Sequence, residues 1–150
     1  MTEEVSSKNV AEGLKVSKGD RLVDVVGIWG FRIQQTVLRG DYDLVATHSS
    51  QVIPEFLRIL TNPNTDIGLR ASVASALASF GLALDTAVYK SDRRPDNIEV
   101  LRKLREEAVE AMSLCLDYPL AVWGRTAITE SLPQLTETES VKKLKEKLPR

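Results

Sequence analysis

One histidine and one cysteine, His48 and Cys115, stand 67 positions apart, and the chain has no others. A structural zinc site draws on several such ligands at short spacing, and no carboxylate joins either residue in that pattern. Cys115 continues an apolar stripe, where cysteine acts as a small hydrophobe, so it is expected to be buried and inert. His48 lies among Thr47, Ser49 and Ser50 and is expected to be solvated or to cap a helix. Gly27 and Gly30 lack the third glycine and the preceding strand of a dinucleotide fingerprint. Gly40-Asp41-Tyr42-Asp43 sets two carboxylates two apart, but nothing nearby completes a calcium loop, and it reads as a turn. The chemistry-bearing residues therefore predict no metal site, no cofactor and no catalytic group. A small carboxylate-dependent enzyme is the weakest of three readings, because 21 acidic residues can still meet in space. A perturbed acid in a deep pocket is its sign.

Positive charge gives a second place to look. Arg93, Arg94, Arg102 and Arg105, joined by Lys90, can line one edge, and Lys142, Lys143, Lys145 and Lys147 crowd the C-terminal end. Such an edge contacts phosphates or an acidic protein surface. Asp92, Asp96, Glu99, Glu106 and Glu107 interleave with it, as on a solvated mixed face. The whole chain balances 20 Lys and Arg against 21 Asp and Glu, without the basic excess of a nucleic-acid module. Nucleic acid is the alternative partner and not the favoured one.

The elements that position these groups read as helices. With 150 residues, 43% of them hydrophobic, the chain suits one helical domain over 1–150. Residues 1–18 are expected to be partly flexible, and 85–97 to form a loop. Leu101, Leu104, Ala108, Ala111, Met112 and Cys115 fall at steps of three and four, which predicts a helix opened by Asp96 with Glu99. Val52, Phe56, Ile59 and Leu60 mark another, with Pro54 in its first turn if Ser49 or Ser50 caps it; a further helical piece begins at Tyr42. Asp66 opens a helix over 67–84, and Pro133 ends one over 120–132. Thr136 with Glu139 offers a capping box for a last short stripe of Val141, Leu144 and Leu148. Between Asp20 and Leu38 the helical stripe Leu22, Val26, Trp29, Ile33 and Val37 competes with a strand-like alternation. Helix is the reading here, because a lone strand has no partner. The longest uncharged stretch, Ala71 to Leu84, has 14 residues, short of the roughly 18 of a membrane span. No secretory signal opens the chain, and one cysteine fits a reducing, cytoplasmic compartment.

An internal echo gives the fold class more detail. Leu69-Arg70-Ala71-Ser72-Val73-Ala74-Ser75-Ala76-Leu77 can be laid on Gly124-Arg125-Thr126-Ala127-Ile128-Thr129-Glu130-Ser131-Leu132, 55 residues later. Each stretch follows a Pro turn that follows an amphipathic helix. Over 52–132 the chain resembles the HEAT/armadillo class of helical repeats. That resemblance implies an all-α, short solenoid of antiparallel helix pairs; the plain alternative is an irregular bundle of five to seven helices. It also implies that Arg70 and Arg125 are structural arginines, bonding near the inter-repeat turns. The loop of 86–96 departs from the family's period of about 40 residues.

The helix over 67–84 is the most unusual segment. Ala71, Ser75, Ser79 and Ala83 form a small-residue line, with Ser72, Ala76 and Phe80 beside it. A helix that is small or apolar all round is normally buried between neighbours. Ser72, Ser75, Ala76 and Ser79 otherwise make a groove into which a partner helix packs. On that reading Ala76→Glu abolishes binding and leaves the fold intact. Trp29 and Trp123, both followed by glycine, are expected in the core. The function expected is non-catalytic protein–protein interaction, as an adaptor or small subunit, with self-association as a further outcome.

Overall fold

The computed structural model describes residues 19–90 and 98–148, with side chains from Leu22 onward. These residues form six α-helices and no strand: α1 (Gly19–Leu38), α2 (Tyr42–Thr61), α3 (Ile67–Asp85), α4 (Ile98–Cys115), α5 (Val122–Ser131) and α6 (Glu139–Lys147). The fold is all-α. Residues 1–18, Arg93, Arg94 and the Asp96 cap lie outside the described residues.

The helical face wins in α1. Leu22, Val26, Trp29 and Ile33 are buried along one stripe, whereas Phe31 and Ile28 are left exposed. Gly40 ends the helix with φ +76°, the left-handed conformation that glycine adopts most easily. Its N–H reaches Val37 O at 3.0 Å, and Asp41 N–H reaches Thr36 O. Asp41 then caps α2, its carboxylate accepting from Leu44 N–H at 3.1 Å.

Neither Ser49 nor Ser50 caps a helix, because α2 runs unbroken through Pro54. Interior proline costs a helix roughly 3 kcal/mol in isolation. Here the buried stripe Val45, Ser49, Val52, Phe56 and Ile59 continues on both sides of it, and packing of that face outweighs the lost bond. Asp66 caps α3 as the sequence implies, accepting from Leu69 N–H at 2.8 Å. The expected loop over 85–97 is corrected for 85–90, and 91–97 lie outside the described residues. Asp85 is still α-helical, and a π-helical turn, Thr86–Lys90, follows with Ala87 and Val88 buried.

The cap of α6 also differs: Thr138 does the work, accepting from Val141 N–H, while Thr136 turns inward to Asp85.

Helix α3 is the axis of the molecule and packs against α1, α2, α4 and α5. Its neighbours fall into two sets. Toward α2 and α4 it presents large apolar groups, with Phe80 edge-on to Phe56 at 5.6 Å. Toward α1 and α5 it presents small ones. A Cβ added to Gly30 of α1 meets Ala76 Cα at 3.3 Å, and one added to Gly124 of α5 meets Ala71 Cα at 2.7 Å. Helices α1 and α5 thus flank α3 on the same side at close range. Ile67–Lys90 is long and apolar enough to cross a membrane, yet 72% of its most apolar window is buried within the fold, as in a core helix.

Candidate functional site

Small side chains on α3 leave a trough between its two close neighbours. A cleft of about 340 Å³ is floored by Ser72, Ser75, Ala76 and Ser79 and walled by Gly27, Gly30, Phe31 and Gln34 of α1 and Trp123 of α5. A second, shallower cleft of about 200 Å³ shares Gln34, Ser75 and Ser79 with it and continues to Leu82, Glu130 and Gln134. All four residues singled out from the α3 sequence lie on this floor. The walls follow helical spacing: Gly27, Phe31 and Gln34 on α1, and Trp123, Ala127 and Glu130 on α5. Gln34 Nε2 donates to Ser79 Oγ at 3.1 Å, tying wall to floor.

The rim is apolar. Phe31 is 64% exposed and Trp123 51% exposed, facing the cleft from opposite walls. The exposed Ile28 lies one turn before Phe31, and the exposed Val122 adjoins Trp123. The sequence reading of two core tryptophans thus holds for Trp29, which is fully buried, and is corrected for Trp123. The buried stripe of α5 runs through Gly124, Ile128 and Ser131, in line with the buried Leu120 just before the helix, and Trp123 stands off it. Phe31 stands off the α1 stripe in the same way. A large aromatic outside its helix's own stripe was the signal available in the sequence.

Ala76 serves the α1–α3 crossing as well as the floor, being 3% exposed and against Gly30. Ala76→Glu therefore separates the helices, which corrects the expectation that it spares the fold. Gly27 is the better probe, since a Cβ there meets nothing within 4 Å.

The expected basic edge does not form as a set. Arg105 is fully buried, paired with Asp85 at 2.9 Å and with Glu106 at 2.7 Å. It also donates to Thr138 Oγ1 and to Thr136 O, and lies over the Tyr89 ring. A guanidinium's five donors need acceptors once water is gone, and this position supplies them from α3, α4 and the approach to α6. Arg102 remains exposed but pairs with Glu99 at 3.1 Å. In α6, Lys142, Lys145 and Lys147 pair with Glu139, Glu137 and Asp117. Lys145 beside Glu137 holds that carboxyl below the usual range.

Arg70 is buried and bridges two turns, donating to Leu60 O, Asn62 O and Pro119 O and lying over Tyr118. Arg125 has no such role. It is exposed on α5, and its guanidinium makes no hydrogen bond or ion pair among the described residues, which corrects its reading as a second structural arginine. The echo breaks because the turn before α5 is already closed by Ala121 N–H bonding to Ile67 O at 3.1 Å.

His48 is buried, not solvated, and its ring meets Trp29 edge-on at 4.7 Å. Cys115 is buried as expected, and burial pushes its thiol up to about 12. The proton stays on the folded thiol while the unfolded one, near 8.5, ionises. Its contribution to stability is thus present below about pH 8.5 and lost as pH rises towards 12. At pH 8 the native protein is expected to leave Cys115 unmodified by a maleimide reagent, with full labelling in denaturant, read by intact mass.

Carboxylates do gather between α4 and α6, where Glu106, Glu110, Asp117 and Glu139 line a cleft of about 350 Å³ with Lys143 and Lys147. Among the described residues no three His, Cys, Asp or Glu side chains converge as metal ligands. No family model, no curated protein and no solved structure matches this chain.

Proposed function

We propose that this chain is a non-catalytic protein–protein interaction module that receives a partner segment in the α1–α3–α5 trough. It acts as an adaptor or as a small subunit of a larger assembly, in a reducing, cytoplasmic setting. The carrying observation is one site with three properties. Its floor is small, its rim holds two half-exposed aromatics, and rigid helices set the distance between them. Exposed Trp and Phe beside a pocket are typical anchors of protein interfaces. The alternation of α1, α3 and α5 against α2 and α4 agrees with a short HEAT-like repeat, and such arrays bind along a face of successive helices. The nucleic-acid reading has less support, because Arg105 is buried and Arg102 and three lysines of α6 are paired.

Affinity capture from native lysate, with and without nuclease, tests the proposal when wild type and Trp123→Ala are run side by side. A stoichiometric protein that survives nuclease and moderate salt, and that Trp123→Ala loses, is the expected result. Equal capture by both forms, or partners that vanish with nuclease, sinks it.

A further inference from the structure

A buried N–H or O–H group needs an acceptor, and among the described residues three such atoms have no partner: Trp29 Nε1, Arg32 Nε and Ser49 Oγ. All three belong to α1 and α2, which pack against each other. None of them lines the trough or the cleft between α4 and α6. Trp29 and Arg32 stand one turn apart on α1, with the guanidinium carbon 5.7 Å from the centre of the indole ring. On α2, His48 meets the same indole edge-on at 4.7 Å, and Ser49 is the next residue. Trp29 and Ser49 are fully buried, whereas Arg32 is half-buried and keeps an edge at the surface.

We infer that this seam is a binding site for a small oxyanion of the phosphate class. The Arg32 fork holds it, with the Trp29 indole N–H and the Ser49 hydroxyl as further donors.

Charge carries the first step. The Arg32 guanidinium makes no hydrogen bond or ion pair among the described residues, so no carboxylate there neutralises it. The indole face attracts it, but a ring gives no acceptor to an Nε that is cut off from water. The fold treats its other buried arginines differently. Arg105 receives both Asp85 and Thr136 O, and Arg70 receives the carbonyls of Leu60 and Asn62. Arg32 is the inward-facing arginine whose acceptors must come from outside.

The donor set then chooses the ligand. Guanidinium and indole can only donate, and the serine hydroxyl can do either. A water molecule accepts from some of them but brings hydrogens of its own, for which only Ser49 offers an oxygen in this set. An oxyanion accepts from every member and donates to none. Its charge answers that of Arg32, and two of its oxygens match Nε and one Nη of the planar fork. Because Trp29 and Ser49 are sealed from solvent, the occupant is small and enters at the exposed edge of Arg32. Inorganic phosphate meets each condition. The site is independent of the protein-binding reading, although α1 is also a wall of the trough, so an anion held here ties that wall to α2.

Inorganic phosphate, titrated against chloride at constant ionic strength, tests the site by heteronuclear NMR of the full chain. The two tryptophans give two indole signals, which Trp123→Phe assigns. The expected result is a saturable downfield shift of the Trp29 indole proton and of the Arg32 Nε proton, with the Trp123 signal unmoved. Arg32→Lys keeps the charge but loses the fork, and should weaken phosphate by about tenfold or more. Circular dichroism first shows that this variant and Arg32→Met fold. As a second reading, phosphate should raise the Tm of the wild type and leave that of Arg32→Met unchanged. A shift that grows linearly without saturating, that chloride reproduces, or that Arg32→Lys leaves undiminished overturns the site. A nuclear Overhauser contact between the Trp29 indole proton and water that persists in saturating phosphate assigns the seam to buried water, and also overturns it.

Discussion

Asp85→Ala is expected to lower the free energy of unfolding by about 3–5 kcal/mol, the range for removing one member of a buried ion pair. Asp85 is 1% exposed and accepts from Arg105 Nε at 3.1 Å and Nη2 at 2.9 Å. It also accepts from the backbone N–H and the hydroxyl of Thr136. Alanine leaves a guanidinium with no solvent access, balanced only by the half-exposed Glu106. It orphans the Thr136 N–H as well, and the segment leading into α6 loses its anchor. The double variant Asp85→Leu with Arg105→Met removes both charges together and should recover most of the loss, since apolar replacement of a buried pair is often neutral. Urea denaturation followed by circular dichroism measures both. A loss below about 1 kcal/mol in the single variant, the range of exposed pairs, overturns this account.

That ion pair also shows where sequence reading stopped. Arg105 lies four residues after Leu101 and three before Ala108, squarely on the buried stripe of α4. Its position on the helix predicts burial, whereas its charge predicts exposure, and position wins. The partner that decides between them, Asp85, is twenty residues away across 91–97. Helix spacing says nothing about which acid lies opposite. Thr136 departs from its expected role for the same reason: its capping pattern with Glu139 is local, whereas its partner Asp85 is 51 positions distant.

The trough was half legible. Periodicity on a single helix showed that one face of α3 is small, and that face is the floor. The walls depend on how α1 and α5 cross α3, and crossing is decided where glycine meets alanine between helices. Those contacts have no signature within either helix alone. Pro54 teaches the converse lesson, for a local rule favoured a break that the buried stripe of α2 overrides.

The same substitution at two glycines should have opposite signs, which tests the crossing geometry directly. Gly27→Ala adds a methyl to open space in the cleft, so the gain in helix propensity, about 1 kcal/mol, comes through as added stability. Gly124→Ala receives the same gain but sets its Cβ 2.7 Å from Ala71 Cα and 2.7 Å from Leu120 Cδ1. Leu120 has other rotamers, but the backbone of α3 does not. Relief requires α5 to withdraw from α3, and overpacking of this kind costs about 1–3 kcal/mol, with backbone contacts at the upper end. Gly124→Ala is therefore expected to destabilise the protein by about 2 kcal/mol. It should also move its neighbour Trp123, seen as a shift in fluorescence, because that residue rides on the same turn as the displaced backbone. Gly27→Ala should leave the tryptophan spectrum unchanged. Equal effects of the two substitutions in thermal denaturation would mean that α5 does not cross α3 at Ala71. The distance between the trough's walls would then be set by some other contact.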